Sequence, residues 1–164
     1  MEKSSGPSDS PPAYDEVNCV HYEDQWCRVN NKGQLVLKCY YFPFGEKTVK
    51  IKDIRGIYYK KQNLESDFGM VRQWGMSLTK CWWASDSSRD IRCNTSSDSF
   101  HNVVIDCGER TYKGFTTNKL EELLPALIKY LNPGTSFTKD LSFCRGEPMT
   151  LWKGTRGKNS TEFS

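Results

Sequence analysis

The chain has 164 residues, of which 37% are hydrophobic and 26% charged, and its mean hydropathy is −0.69. The low hydrophobic content predicts that part of the chain is disordered. The sequence has no run of about 18 apolar residues, which excludes a transmembrane helix. No apolar segment follows the first residues, so we expect no secretory signal and a cytoplasmic location.

Charge and composition divide the chain into three segments. Residues 1–24 hold one basic and six acidic residues, a net charge of −5, with many serines and prolines, and we expect a disordered acidic tail. Residues 25–131 carry a net charge of +6 and the hydrophobic patterning of a folded domain. Residues 132–164 carry +2 and begin Asn132-Pro133-Gly134, which predicts a flexible C-terminal tail. The positive surplus of the central segment is too small to indicate a nucleic-acid partner.

Most of the central segment shows the alternation that is typical of β-strands. Val49 and Ile51, for example, alternate with Lys50 and Lys52, as in a strand with one buried face. The Asn31-Lys32-Gly33 sequence predicts a hairpin turn because Asn and Gly tolerate positive φ angles. Seven strands are predicted in this way, at residues 26–30, 34–42, 47–52, 54–61, 78–84, 102–107 and 111–115.

The last element of this segment changes period. Apolar residues recur every three or four positions from Leu120 to Leu131, which predicts an amphipathic helix over residues 118–131. Thr117 or Asn118 is expected to cap its N-terminus. Pro125 removes one backbone hydrogen bond, so we expect a kink there or a helix that starts later.

Seven antiparallel strands followed by one helix resemble the pleckstrin-homology-like superfold, including its GRAM-type members. The segment VKIKDIRGI at 49–57 is similar to the middle hairpin of such domains. NVVID at 102–106, followed by GFTTNKL at 114–120, is similar to their final hairpin and the start of the helix. The resemblance covers residues 25–131. It implies a mainly β fold, a bent seven-stranded antiparallel barrel capped by one C-terminal α-helix.

The N-terminal segment contains a PPxY motif, Pro11-Pro12-Ala13-Tyr14, which resembles the ligands of WW domains. Two adjacent prolines favour a polyproline II helix, so little entropy is lost on docking. In such ligands the prolines stack on an aromatic groove and the tyrosine fills a neighbouring pocket. Pro11, Pro12 and Tyr14 are therefore candidate partner-binding residues, and the resemblance implies a WW-domain partner such as a HECT-type ubiquitin ligase. The alternative is an incidental proline-rich linker.

A second hypothesis concerns positive charge on the strands. A diffuse basic face could attract an anionic membrane surface, and the alternative is an ordinary solvated strand face. The first hairpin offers three scattered cations, which make a poor cradle for a lipid headgroup. The candidate lipid-binding residues are Lys47, Lys50, Lys52, Lys60 and Lys61.

Seven cysteines lie at positions 19, 27, 39, 81, 93, 107 and 144, and their spacing fits no zinc pattern. We therefore expect reduced thiols, no metal and no cofactor. No common catalytic motif is present, and Asp86, Arg89 and Asp90 are interpreted as part of a solvated loop. Trp82 and Trp83 must face opposite sides of a strand, so we expect one in the core and the other exposed or under a loop.

Together these observations favour an adaptor without enzymatic activity, in which the tail recruits a WW-domain protein. The alternative is a peripheral membrane module that binds anionic lipid through the basic strand face.

Overall fold

The computed structural model describes residues 20–63, 67, 69–89 and 100–141. Their backbone forms two β-sheets, a single 3-10 turn at Ile51–Asp53 and an α-helix, α1 (Leu120–Ile128). The strands, in chain order, are β1 (Val20–Glu23), β2 (Cys27–Asn30), β3 (Gln34–Tyr41), β4 (Gly45–Lys50), β5 (Gly56–Lys61), β6 (Gly75–Met76), β7 (Cys81–Trp83), β8 (His101–Asp106), β9 (Tyr112–Thr117) and β10 (Ser136–Thr138).

The first sheet is an antiparallel meander with the order β1-β2-β3-β4. The predicted turn between β2 and β3 is present, and Gly33 takes a positive φ of 67°. The Asn30 side-chain oxygen accepts hydrogen bonds from the backbone N–H groups of Lys32 and Gln34, at 3.1 and 3.0 Å. The asparagine therefore supports the turn through its side chain as well as through its backbone.

The second sheet has the order β10-β5-β8-β9-β7-β6. Its centre is antiparallel, but β7 pairs with β9 in parallel and β10 pairs with β5 in parallel. Gly114 on β9 lies under the Trp83 ring, and a Cβ at that position would come within 2.5 Å of the indole. A glycine is therefore required where β7 and β9 approach each other.

Hydrophobic side chains fill two clusters on opposite faces of this second sheet. The main core includes Ile105 of β8 and Phe115 of β9, while Val104, on the other face of β8, joins a smaller cluster with the fully buried Trp83. Trp82 faces the main core and is partly buried. The two adjacent tryptophans thus point to opposite faces, as the alternation of a strand predicts.

Helix α1 contributes Leu120, Leu123 and Leu127 to the main core. It starts at Leu120 and contains Pro125, so the proline does not delay its start, and it ends at Ile128, before the predicted end. No side chain caps it. Lys119 occupies the N-cap position, and the Thr117 hydroxyl accepts the Lys119 backbone N–H at 3.2 Å.

The prediction of a mainly β fold with a C-terminal helix is confirmed. Neither sheet closes on itself within the described residues, so the predicted seven-stranded barrel is not confirmed. Strands β1 and β10 lie outside the predicted 25–131 range, at residues expected to belong to tails. Both are held by backbone hydrogen bonds to a neighbouring strand, so the expectation of disorder fails for those residues.

Candidate functional site

The PPxY residues Pro11, Pro12 and Tyr14 lie outside the described residues. The first described residue, Val20, begins strand β1. Residues 15–19 therefore separate the motif from the sheet.

The structure distributes the five candidate lysines over three places. Lys50 and Lys52 line one cleft, and Lys47 lines a smaller pocket. Lys60 and Lys61 lie on β5, in the other sheet, and the ammonium of Lys60 pairs with the buried Asp67 carboxylate at 3.1 Å.

The cleft at Lys50 and Lys52 has a volume of about 750 Å³. Its other charged lining residues are Arg55, Asp53 and Glu109, so cations only slightly outnumber carboxylates. One wall comes from residues 132–135, which the sequence predicted to be flexible. That wall is fixed by hydrogen bonds, including one from the Asn132 amide to the Lys52 carbonyl at 2.7 Å. The charges are mixed, so the cleft has no strong preference for anions.

The turn between β3 and β4 exposes two phenylalanines. Phe42 is 78% exposed and Phe44 is 81% exposed. The Phe42 ring lies 5.7 Å from the Trp74 ring, and the Trp74 ring lies 5.6 Å from that of Trp82. Contiguous exposed aromatic rings of this kind are typical of contact surfaces for proteins or membranes.

Trp74 and Trp82 donate hydrogen bonds to the same backbone carbonyl. The indole N–H of Trp82 donates to the Tyr40 carbonyl at 3.0 Å, and that of Trp74 donates to the same oxygen at 3.3 Å. Tyr40 is itself buried, and its ring lies 6.3 Å from the Trp82 ring. The aromatic rings are therefore held in place before any partner binds.

A pocket of about 220 Å³ opens between the two sheets beside Tyr40 and Trp82. Lys113 of β9 lines it and is only 2% exposed. The Lys113 ammonium lies 3.0 Å from the carboxylate of Glu109, which is 55% exposed, and makes no hydrogen bond to any other described residue. Lys47 also lines the pocket, so two cations face one carboxylate.

Electrostatic effects on two titratable groups reflect this arrangement. The hydrogen bond and charge of Lys113, with a smaller contribution from Lys47, lower the pKa of Glu109 against the opposing effect of its partial burial. Burial raises the pKa of the Cys107 thiol to about 11, although Lys113 opposes that shift. Glu109 is therefore ionised at neutral pH and Cys107 is a neutral thiol.

The sequence analysis predicts that Asp86 and Arg89 lie in a solvated loop. In the structure both side chains are buried. Arg89 is 1% exposed and lies over the Trp83 ring, with its guanidinium carbon 4.8 Å from the ring centroid. It donates to the Ala84 carbonyl at 3.1 Å and to the Thr116 hydroxyl at 3.2 Å. Thr116 donates to Asp86 at 2.7 Å. The prediction of a solvated loop is wrong because Asp86 and Arg89 both form hydrogen bonds with Thr116, which is distant in the chain.

This polar network continues across the second sheet. The Gln62 amide donates to the Asn102 side-chain oxygen at 3.0 Å and to Thr116 at 3.3 Å. The Asn102 amide in turn donates to Asp67 at 3.1 Å, and Asp67 holds Lys60. Because its carboxylates are already paired, the network is best explained as internal support for the loops that cover the sheet.

Sequence reasoning missed Lys113, although a signal was present. Phe115, two residues further along the strand, faces the core, and residues two apart on a strand share a face. Lys113 should therefore point inward. The aromatic contact between Trp74 and Phe42 had no such signal because it joins two separate loops.

The described residues contain no group of three or more His, Cys, Asp and Glu side chains arranged to hold a metal ion. Cys27, Cys39, Cys81 and Cys107 are free thiols, and the remaining three cysteines lie outside the described residues. No helix in this part of the chain is both long enough and apolar enough to span a bilayer. No family model, curated protein or solved structure matches the chain.

Proposed function

We propose that the protein is an adaptor without enzymatic activity that recruits a WW-domain partner through Pro11-Pro12-Ala13-Tyr14. The observation that carries this proposal is the motif itself, placed directly before a folded two-sheet domain. Polyproline segments bind aromatic grooves with a small entropy cost, and the following Asp15 and Glu16 keep the motif hydrated. A WW domain of a HECT-type ubiquitin ligase is the partner class that fits this motif.

We further propose that the domain is pleckstrin-homology-like. The four-stranded meander, the antiparallel β5-β8-β9 centre of the second sheet and the packing of α1 into the main core support this assignment. The parallel pairs β7–β9 and β5–β10 depart from the antiparallel pattern. They make this domain a variant of that superfold.

The proposal is tested by titrating the full chain with an isolated WW domain of a HECT-type ligase. Tyr14→Ala should weaken binding at least about ten-fold, since the tyrosine pocket is then empty. Tyr41→Ala is the matched control, because Tyr41 is an exposed tyrosine outside the motif, and it should bind like the wild type. Equal affinity of the wild type and both variants for the WW domain would contradict the proposed recruitment through this motif.

A second candidate function is binding to an anionic membrane, favoured by one specific observation. The exposed Phe42 and Phe44 lie on the turn that leads into β4, and Lys47 follows on that strand. Aromatic rings can enter the interfacial region while neighbouring lysines contact anionic headgroups. Lys50 lies at the other end of β4 and Lys52 in the 3-10 turn that follows it, whereas Lys60 and Lys61 belong to the other sheet.

Sedimentation with phosphatidylserine-containing vesicles tests this second function. Phe44→Ser and the Lys50→Gln/Lys52→Gln double variant should each reduce the bound fraction, and added salt should weaken wild-type binding. Ile128→Ser, which changes an exposed apolar residue on α1, serves as the control. If the control reduces binding as much as Phe44→Ser, the turn is not the membrane contact.

A further inference from the structure

We propose that the pocket between Tyr40, Trp82 and Lys113 is a binding site for a small aromatic carboxylate. The site is separate from the WW-domain motif, and it shares Lys47 with the proposed membrane contact. Its ligand combines one negative charge with one flat apolar ring. Three features of the pocket lead to this ligand class: its size, its charge balance and its walls.

The size admits a single ring. The pocket has a volume of about 220 Å³. A protein cavity of about 150 Å³ is known to hold benzene, so a benzene ring with one short acidic substituent fits here.

The charge balance favours one additional anion. Lys113 and Lys47 contribute two positive charges to the lining, and Glu109 contributes one negative charge. The Lys113 ammonium is almost completely buried, and a buried charge is costly unless it is well paired. Its partner, Glu109, lies in the turn before β9 and is mostly exposed. A ligand carboxylate can therefore replace Glu109 at the buried ammonium, while the displaced Glu109 side chain moves into solvent.

The walls favour a ring. Tyr40 and Trp82 line the pocket, and Met76 lines it from β6. Because the Trp82 indole is fixed by its hydrogen bond to the Tyr40 carbonyl, little freedom is lost when a ring packs against it. Sulfur and aromatic groups are both favourable neighbours for an aromatic ligand.

Phenylacetate is the probe, and two further molecules separate its two features. Phenylacetamide keeps the ring and lacks the charge, while acetate keeps the charge and lacks the ring. Each is titrated into the full chain, and the Trp82 indole N–H signal is followed by ¹H–¹⁵N NMR. Trp82→Phe assigns that signal by removing it. Phenylacetate should bind at least about ten-fold more tightly than either of the other two molecules.

Variants then test each charge. Lys113→Met should reduce the affinity for phenylacetate to that for phenylacetamide and leave phenylacetamide unchanged. Glu109 is mostly exposed, so its carboxylate can be hydrated when Lys113 is replaced, and this variant is expected to fold. Glu109→Gln removes the competing carboxylate and should strengthen phenylacetate binding about three-fold or more. Lys61→Gln, an exposed lysine on β5, is the matched control and should change nothing.

If Lys113→Met does not fold, Glu109→Gln alone decides the question. Equal binding of phenylacetate and phenylacetamide, or weaker phenylacetate binding in Glu109→Gln, would show that Lys113 serves only to hold Glu109. The absence of a saturable shift with phenylacetate overturns the proposal altogether.

Discussion

The hydroxyl groups of Tyr22 and Thr117 lie 2.7 Å apart, although 95 positions separate the two residues in the chain. Both hydroxyls also lie within hydrogen-bonding distance of one Asp24 oxygen, Tyr22 at 2.7 Å and Thr117 at 2.8 Å, and their two protons can make two of these three contacts at a time. The other oxygen of Asp24 accepts the backbone N–H groups of Trp26 and Cys27. One carboxylate therefore joins the turn after β1 to the end of β9, the strand that leads into α1.

We expect Tyr22→Phe to lower the free energy of unfolding by about 1–2 kcal/mol, because Asp24 loses a hydrogen-bond donor in a largely buried site. Urea denaturation measures the loss. A double-mutant cycle with Thr117→Val should show that the two substitutions are not additive. Strict additivity would mean that the hydroxyl contact contributes nothing of its own.

Arg89→Ala should lower the free energy of unfolding by about 3–5 kcal/mol, because it leaves the buried Asp86 carboxylate without its cation and exposes one face of Trp83. Thermal or urea unfolding gives the value. Arg110→Ala, at an exposed arginine, should change stability by less than about 0.5 kcal/mol. A similar small effect at both arginines would contradict the importance of the buried network.

The two faces of α1 should respond differently to truncation. Leu123→Ala removes a fully buried side chain from the main core and should cost about 2–5 kcal/mol. Ile128→Ala removes an exposed side chain of the same helix and should cost much less. Comparable losses, measured by urea denaturation, would show that α1 is not packed on the core as described.

Stability should fall at alkaline pH. The pKa of Cys107 is about 11 in the folded protein, against an ordinary value near 9. Between these values the unfolded chain loses a proton that the folded protein keeps, so the contribution of Cys107 to the free energy of unfolding decreases as the pH rises, and it is constant well below pH 9. Burial also raises the pKa values of Tyr22, Tyr40 and Cys27, which act in the same direction.

The contribution of Cys107 is isolated by its variant. Urea midpoints at pH 8, 9 and 10 should fall less in Cys107→Ala than in the wild type. The part of the decrease that is due to Tyr22, Tyr40 and Cys27 should remain in both proteins. Parallel curves for the two proteins would show that the thiol ionises equally easily in both states.

Sequence patterning predicted the strands that have a clear buried face. Val103, Val104 and Ile105 mark β8 as a short apolar run, and the spacing of Leu120, Leu123 and Leu127 marks α1. Strand β10 could not be recognised, because its pairing with β5 uses backbone groups and two of its three side chains remain exposed. Short edge strands carry too little side-chain signal for a periodicity argument.

The polar residues of the second sheet illustrate a different limit. Asp86 and Arg89 look solvated in sequence because charged residues usually are. Their burial depends on Thr116, which is distant in the chain, and on backbone carbonyls whose positions only the fold determines. The position of Lys113 could be predicted only in part. Its inward direction follows from the alternation on β9, but its pairing with Glu109 and the aromatic walls around it do not.

The short connection between the PPxY motif and strand β1 has a consequence for any bound partner. Residues 15–19 alone lie between Tyr14 and Val20, so even a fully extended chain spans only about 20 Å. A WW domain held on Tyr14 would be tethered beside the outer edge of the four-stranded sheet. Contacts too weak to form between separate molecules could then be populated, because such a tether corresponds to a local concentration in the millimolar range.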